Sequence, residues 1–274
     1  MLKRFSAAPY LLWSILFILI PLFVVAFYSL FKSTPSGYTF TLEGYRKFLD
    51  TLYLEVLWRS MVIAIKSTLL CLVVGYPLAL LLSRMAPRSQ KILVMLIILP
   101  MWMNFLLRTY AWIPILGRNG LINTILGRLG TQPVNLLFNE NAVLLGMVYD
   151  FLPFMVLPIY TVLMKIDRQL IEAAEDLGAD QSAIFRRIIF PLSIPGLVSG
   201  ILMVFMPAVS TFVVSDLLGG SQITLIGNVI KDQFTTVYNW NFGSAISMIL
   251  MVIILVSMGI LSRYNRHEKG VTLW

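Results

Sequence analysis

The stretch DRQLIEAAEDLGADQSAIFRRIIFPL, residues 167–192, is a polar island between two strongly apolar runs, and its reading decides how the rest of the chain is understood. The spacing predicts two short helices with a break. Asp167 is placed to N-cap the first, along which Ile166, Leu170, Ala173, Ala174 and Leu177 recur at helical intervals, and Gly178 suits the left-handed residue that closes a helix. Asp180 is placed to cap the second, with Pro191 as its expected end. Ile184 with Ile188 and Phe185 with Ile189 give the second helix an apolar stripe, while Arg186 and Arg187 face elsewhere. An element of this kind is built to be gripped by something.

The flanks set the class. The 274-residue chain is 58% hydrophobic with a mean hydropathy of +0.85, above the apolar share of about 45–50% in soluble domains. A net charge of +8 raises the question of nucleic acid, but the basic residues lie between apolar runs rather than among clustered aromatics, a pattern that membrane topology explains. The single cysteine, Cys71, sits in an apolar run and excludes an internal disulfide or a thiol metal cluster.

Residues 10–31 form the first long apolar run, and about 22 residues at 1.5 Å each give roughly 33 Å, enough to cross a bilayer. Further spans are expected at 61–82, 92–112, 142–164, 194–214 and 242–261, which makes the chain an all-α integral membrane protein with six transmembrane helices in one domain over residues 1–274. Residues 32–60 read as a connection whose aromatics favour the membrane interface, 113–141 as an outer loop with interfacial helices, and 225–234 as a short amphipathic helix too polar to cross. Lys66 reads as a side chain snorkelling to the outer headgroups, Gly75-Tyr76-Pro77 as a bend, and Arg108 as an outer-end anchor. Gly196 and Gly200 have the spacing of a close helix contact, and Pro153, Pro158 and Pro207 are candidate hinges.

Basic residues set the orientation. Lys3, Arg4, Arg84, Arg88, Lys91, Lys165, Arg168, Arg186, Arg187, Arg263, Arg266 and Lys269 fall on one side near span ends, so both termini and the 167–192 loop are expected in the cytoplasm.

Catalytic chemistry has little to stand on. The phosphate-cradling Gly-x-x-x-x-Gly-Lys-Ser/Thr pattern does not occur, His267 is the lone histidine, and no His, Cys and carboxylate residues have metal-ligand spacing. The chain reads as a transport subunit without its own nucleotide site rather than an enzyme. Two acids at or near membrane depth draw the eye instead. Asp150 lies within the fourth span, where an ionised carboxylate is costly unless it faces water, a cation or a base, so it is expected to face a pathway. Asp216, nearer the outer mouth, reads either as a pathway acid or as a solvated loop acid. Together they favour a cationic solute, with Trp102, Tyr149 and Phe154 able to offer ring faces to it and Asn104 either lining the lumen or pairing helices. An ion-driven carrier is the rival class, against which the lack of an internal repeat counts.

Glu172-Ala173-Ala174, then Gly178, Ile188 and Phe190-Pro191 resemble the EAA loop of ABC importer membrane subunits, with Phe190 where Leu is usual. Over about residues 10–263, CLVVGYPLALLLSR from Cys71, LPMWMNFLLRTYAW from Leu99, VYDFLPFMVLPIY from Val148, SDLLGGSQITLIGNVIKDQF from Ser215 and NWNFGSA from Asn239 are similar to the spermidine/putrescine permeases among them. The resemblance implies a type I importer with the MetI-like permease fold in a bacterial cytoplasmic membrane. It implies that Glu172, Ala173, Ala174, Gly178, Ile188 and Pro191 couple to an ATPase. The partners it implies are a homologous sister permease, two copies of a cytoplasmic ATPase that bind ATP and magnesium, and an extracytoplasmic polyamine-binding protein. No cofactor bound by this chain and no nucleic acid are implied. Another small cargo, such as thiamine or a metal chelate, is the nearer alternative.

Overall fold

The computed structural model describes residues 8–35 and 37–266, so the expectations placed on Lys3, Arg4, His267 and Lys269 lie outside the described residues. The first span, α1, joins α-helix Ala8–Ser14, a π turn Ile15–Leu19 and α-helix Ile20–Leu30. A hairpin of β1 (Phe31–Thr34) and β2 (Gly37–Phe40) follows, a local exception to the expected all-α class. Then come α2 (Glu43–Phe48), α3 (Thr51–Arg84), α4 (Pro87–Ile98), α5 (Phe105–Tyr110), α6 (Ile113–Leu116) and α7 (Leu121–Arg128). The rest of the chain builds α8 (Glu140–Leu163), α9 (Arg168–Asp176), α10 (Gln181–Ser210), α11 (Ile226–Thr235) and α12 (Trp240–Arg266).

Among the described residues five helices are long and apolar enough to cross a membrane, and a sixth span arises if the bent pair running from Pro87 to Arg128 is counted as one. That pair replaces the single span expected at 92–112, broken between Trp102 and Phe105. After α4 a 3₁₀ turn, Leu99–Trp102, leads to extended backbone at Met103, and the axis turns by 98°. Asn104 then starts α5: its Oδ1 accepts from the Leu106 and Leu107 N–H groups at 2.9 and 3.4 Å, so its amide oxygen serves as a helix cap on an exposed residue.

Two further boundaries differ from the sequence reading. α3 begins at Thr51 rather than 61, because its first turns are amphipathic and continue the helix outside the uniformly apolar stretch. α10 runs through Pro191 without stopping. Phe190 N–H donates to Phe185 O across a π turn at Phe185–Ile189, and Ile20 N–H donates to Ile15 O in the same way one residue before Pro21. In both places the hydrogen-bond register widens to i→i+5 just before the ring, so proline meets a looser turn than the α-helix it would break.

α8 is the centre of the bundle. Of its most apolar stretch 56% is buried, against 6% for α1, and it packs between α3 and α10. Met147, Met155, Val156 and Ile159 are fully enclosed there. Apolar attraction between helices is weak in lipid, so close approach of backbones has to supply the contact. A Cβ at Gly196 would lie 2.9 Å from Pro158 O and 3.0 Å from Ile159 Cα, and one at Gly200 would lie 2.9 Å from Met155 Sδ, as the small-residue spacing led one to expect. α1 and α12 pair at the periphery, where Asn241 Nδ2 donates to Tyr28 O at 2.9 Å.

Gly196→Ala therefore forces α10 off backbone atoms that cannot give way, and we expect a loss of about 1–3 kcal/mol in the stability of the detergent-solubilised protein. Gly127→Ala, inside α7 where nothing lies within 4 Å, should cost nothing and raise stability by up to about 1 kcal/mol in the same thermal unfolding assay.

Candidate functional site

The segment that opened the reading folds as a helix, a glycine closure and a second helix. Asp167 Oδ1 accepts from Gln169 N–H at 3.0 Å at the start of α9. At its other end Ala179 N–H donates to Ala174 O and Gly178 N–H to Glu175 O, both at 2.9 Å, with Gly178 at φ +80. This paired closure needs a left-handed residue at the position that glycine fills. Asp180 Oδ1 then accepts from Ala183 N–H at 3.1 Å and opens α10.

Which face α9 turns inward differs from the expected stripe. Ile166, Ile171, Ala174 and Ala179 pack on the bundle core, while Leu170 and Ala173 point outward with Glu172, and Leu177 is 90% exposed. The apolar residues of α9 are thus shared between two faces, one covered by this chain and one left open. In α10 the stripe is as read: Ile184 and Ile189 are buried, Ile188 is half-buried, and Arg186 and Arg187 are exposed. The start of α10 is fastened to α3 by Tyr76, whose hydroxyl is 2.9 Å from Ser193 Oγ and whose ring lies 6.1 and 6.0 Å from those of Phe185 and Phe190. Pro191 sits beside this cluster, half-buried.

The two acids do not share a site. Asp150 is wholly buried, with Oδ1 accepting from Arg108 Nε at 2.6 Å and Oδ2 from the Thr109 hydroxyl at 2.9 Å. Arg108, 6% exposed, also donates to Pro100 O at 2.9 Å. This overturns both expectations at once: Asp150 faces a buried base instead of a pathway, and Arg108 is an internal partner instead of an outer-end anchor. An isolated charge at that depth costs several kcal/mol, and the pair with its two extra hydrogen bonds removes the reason to seek water. Tyr149 is stacked edge-on with Trp112 at 5.4 Å and lies 5.7 Å from the Arg108 guanidinium. Phe154 packs half-buried against the core, and Trp102 is 81% exposed in a groove with Lys91 and Tyr160. Lys66 pairs with Glu140 at 2.5 Å. None of these residues is brought to Asp216.

Asp216 has its own constellation, in the π turn Ser215–Gly219 that follows α10. Asn228 on α11 organises it: Nδ2 donates to Asp216 Oδ1 at 2.5 Å and to Phe212 O at 3.2 Å, while Oδ1 accepts from Ser215 Oγ at 2.7 Å and Leu225 N–H at 2.8 Å. Every donor and acceptor of this buried amide is used. A Cβ at residue 227 would stand 2.5 Å from Ser210 O, so Gly227 is what lets α11 come close enough for these bonds. Lys231 completes the group, with Nζ 2.7 Å from Asp216 Oδ2, 3.3 Å from Asp232 Oδ1 and 5.8 Å from the centre of the Phe212 ring. The hydrogen bond to Asp216 holds the Lys231 ammonium above its ordinary pKa, so it stays charged. A half-exposed carboxylate beside an aromatic face is an ammonium site, and here the chain's own lysine occupies it. Sequence reasoning missed Asn228, Lys231 and Phe212, because nothing in the spacing of LIGNVIKDQF says that α11 folds back on the end of α10.

Residues 72–267 match the family described as binding-protein-dependent transport system inner membrane component. The chain belongs to this family. Similar curated relatives of this inner-membrane component include the spermidine/putrescine transport system permease protein PotB of Haemophilus influenzae, 40% identical over 96% of this chain and 94% of the relative. The PotB of Escherichia coli is 40% identical over 93% of this chain and 94% of its own, and the inner membrane ABC transporter permease protein YdcU of the same species is 25% identical over 83% and 77%. Among solved structures, the inner-membrane component resembles a chain of a bacterial ABC transporter that imports the acidic polysaccharide alginate, with a TM-score of 0.81 over 99% of this chain and 96% of that one at 16% identity. A chain of the MetNI methionine ABC transporter in an inward-facing conformation gives 0.59 over 78% and 94% at 19% identity. At these identities the structural likeness speaks for the fold.

Replacing Asp150 by Asn should destabilise this inner-membrane component by about 3–5 kcal/mol, since Arg108 is left as an unpaired buried charge. The double change Arg108→Met with Asp150→Leu should recover most of that loss in a denaturant titration. Normal stability of Asp150→Asn with altered transport kinetics would return Asp150 to the pathway.

Proposed function

We propose that this chain is the permease subunit of an ATP-driven ABC importer for polyamines, the reading carried by 40% identity over 96% of its length to a spermidine/putrescine permease. In this reading the chain sits in a bacterial inner membrane with both termini and the 167–192 loop in the cytoplasm. It pairs with a homologous sister permease, rests on two ATPase subunits that bind ATP and magnesium, and receives cargo from an extracytoplasmic polyamine-binding protein. The chain itself catalyses nothing.

The coupling role is supported by the open face of α9. Glu172, Ala173 and Leu177 have no cover from this chain, while Ile171 and Ala174 anchor the same helix to the bundle. Movement of an ATPase groove that grips the outer face is passed to α8 through residues 164–167 and to α10 through the Gly178 closure. Because α10 is unbroken from Gln181 to Ser210, displacement at its cytoplasmic end is delivered to the turn bearing Asp216. The cargo contact is supported by the Asp216, Phe212 and Lys231 group. A polyamine ammonium would replace the Lys231 ammonium at the carboxylate with no net change of charge there, and the ring would face its methylene chain. Cycling between outward-open and inward-open arrangements then moves the solute.

Cells lacking this chain should lose uptake of radiolabelled putrescine and spermidine, as should cells whose partner ATPase is disabled in its nucleotide site. Uptake that survives the second change would instead mark an ion-driven carrier. Glu172→Lys should abolish uptake while the protein still inserts in the membrane. Asp216→Asn should raise the KM for polyamine roughly tenfold or more, the worth of a charge-assisted hydrogen bond, with the complex still assembled.

A further inference from the structure

We propose that the seam between α4 and α8, beneath α9, holds one anionic phospholipid whose phosphate lies between Arg84 and Arg168. A cavity of about 460 Å³ opens there, at the ends of α3 and α8 and the start of α4, roofed by Ile171 on the covered face of α9. Ser83, Arg84, Gln90 and Arg168 bring polar side chains to its wall, and no acidic residue lines it. Among the described residues neither arginine is in an ion pair. Basic residues at span ends are expected for topology alone, but topology does not require that they converge on one hollow from separate helices. Basic pockets between membrane helices at the cytoplasmic surface are the setting in which phosphodiester headgroups are held. That this end is cytoplasmic rests on the proposed function.

The same seam continues into the membrane as an apolar groove of about 310 Å³, lined by Lys91, Met95, Ile98, Trp102 and Tyr160. Tyr160 in the last turn of α8 and Met164, which caps it four residues on, border the groove and the cavity respectively, so the two are consecutive stations on one line. From Lys91 to Trp102 the groove runs roughly 18 Å along α4 and its 3₁₀ turn. That is close to the half-thickness of about 15 Å of a hydrocarbon core, the depth that one leaflet's acyl chain occupies. A free phosphate explains the basic hollow and leaves the groove without a reason; a neutral lipid explains the groove and leaves the arginines without one. A phospholipid with a net negative head uses both. Seated there, it would wedge the covered face of α9 against α3 and α8, so the charge of the leaflet would bear on how firmly the coupling helix is held.

The test is native mass spectrometry of the complete transporter in detergent, titrated with phosphatidylglycerol and with phosphatidylcholine of the same acyl chains. Phosphatidylglycerol should bind this site in preference, and Arg84→Gln with Arg168→Gln should weaken that binding about 25-fold, a factor of about five for each basic residue. Met95→Trp, which fills the groove and leaves every charge in place, should weaken it as well. Equal binding of the two lipids, or phosphatidylglycerol binding unchanged in either variant, overturns the proposal. Displacement of the lipid by inorganic phosphate, with Met95→Trp silent, overturns it in favour of a free-anion site. Lipid binding is read independently of cargo, so loss of the polyamine assignment in uptake assays would leave this result standing.

Discussion

A carboxylate and a guanidinium sealed inside a membrane bundle are tolerable only as a pair backed by further hydrogen bonds, and the Arg108–Asp150 contact, with Pro100 O on one side and the Thr109 hydroxyl on the other, meets that condition. Asp150 stands on α8, the helix against which α3 and α10 pack. Arg108 stands beyond the 98° turn and reaches back to Pro100 O on the near side of it. One side chain thereby fastens both limbs of the bend to the central helix, and the bend cannot open without stranding a charge. With the break fixed in this way, α5 is held against α8 by Arg108 and Thr109, out of the line of α4.

The proposed coupling path is made from local rules obeyed in sequence. Asp167 starts α9, the Gly178 closure ends it, Asp180 starts α10, and each step satisfies backbone groups that a helix end leaves open. What the path adds is stiffness downstream. The closure at Gly178 is tight, α10 has no stop until Ser210, and the Tyr76, Phe185 and Phe190 cluster braces its root on α3. A soft joint at Pro191 would dissipate a push from below; a continuous helix would carry it to the Asp216 turn.

The class of the fold, the helical content, the caps of α9 and α10 and the contact glycines were legible because each is written within a few residues of itself. Long-range partners were not. Asp150 finds its base 42 residues away and Asp216 finds its lysine 15 residues on, after a turn whose direction is set by the fit of Gly227 against Ser210 O. A charge read singly at depth invites a pathway, and only the fold reveals that another charge already answers it. The early start of α3 was hidden for a different reason: hydropathy registers lipid contact, whereas a helix can continue past the lipid on amphipathic turns. Leu170 and Leu177 recur at the helical interval of the covered residues but lie exposed, because periodicity finds apolar residues and does not say which of two apolar faces is covered.

The π turn at Phe185–Ile189 has a consequence for sequence length. Such a turn contains one residue more than the α-helical turn it replaces, and each residue of an α-helix carries the chain about 100° around the axis. The widened turn takes up that surplus: converting it to α-helix at unchanged length would swing Asp180, with α9 behind it, by about 100° relative to the glycines that seat α10 on α8, whereas deleting one residue there would restore the ordinary pitch and leave the two ends aimed as before. Without the π turn the open face of α9 would be aimed elsewhere although every side chain on it was kept. A one-residue gap across this segment in an alignment would therefore denote a regular helix that aims α9 the same way, so the number of residues here and the form of the turn have to change together.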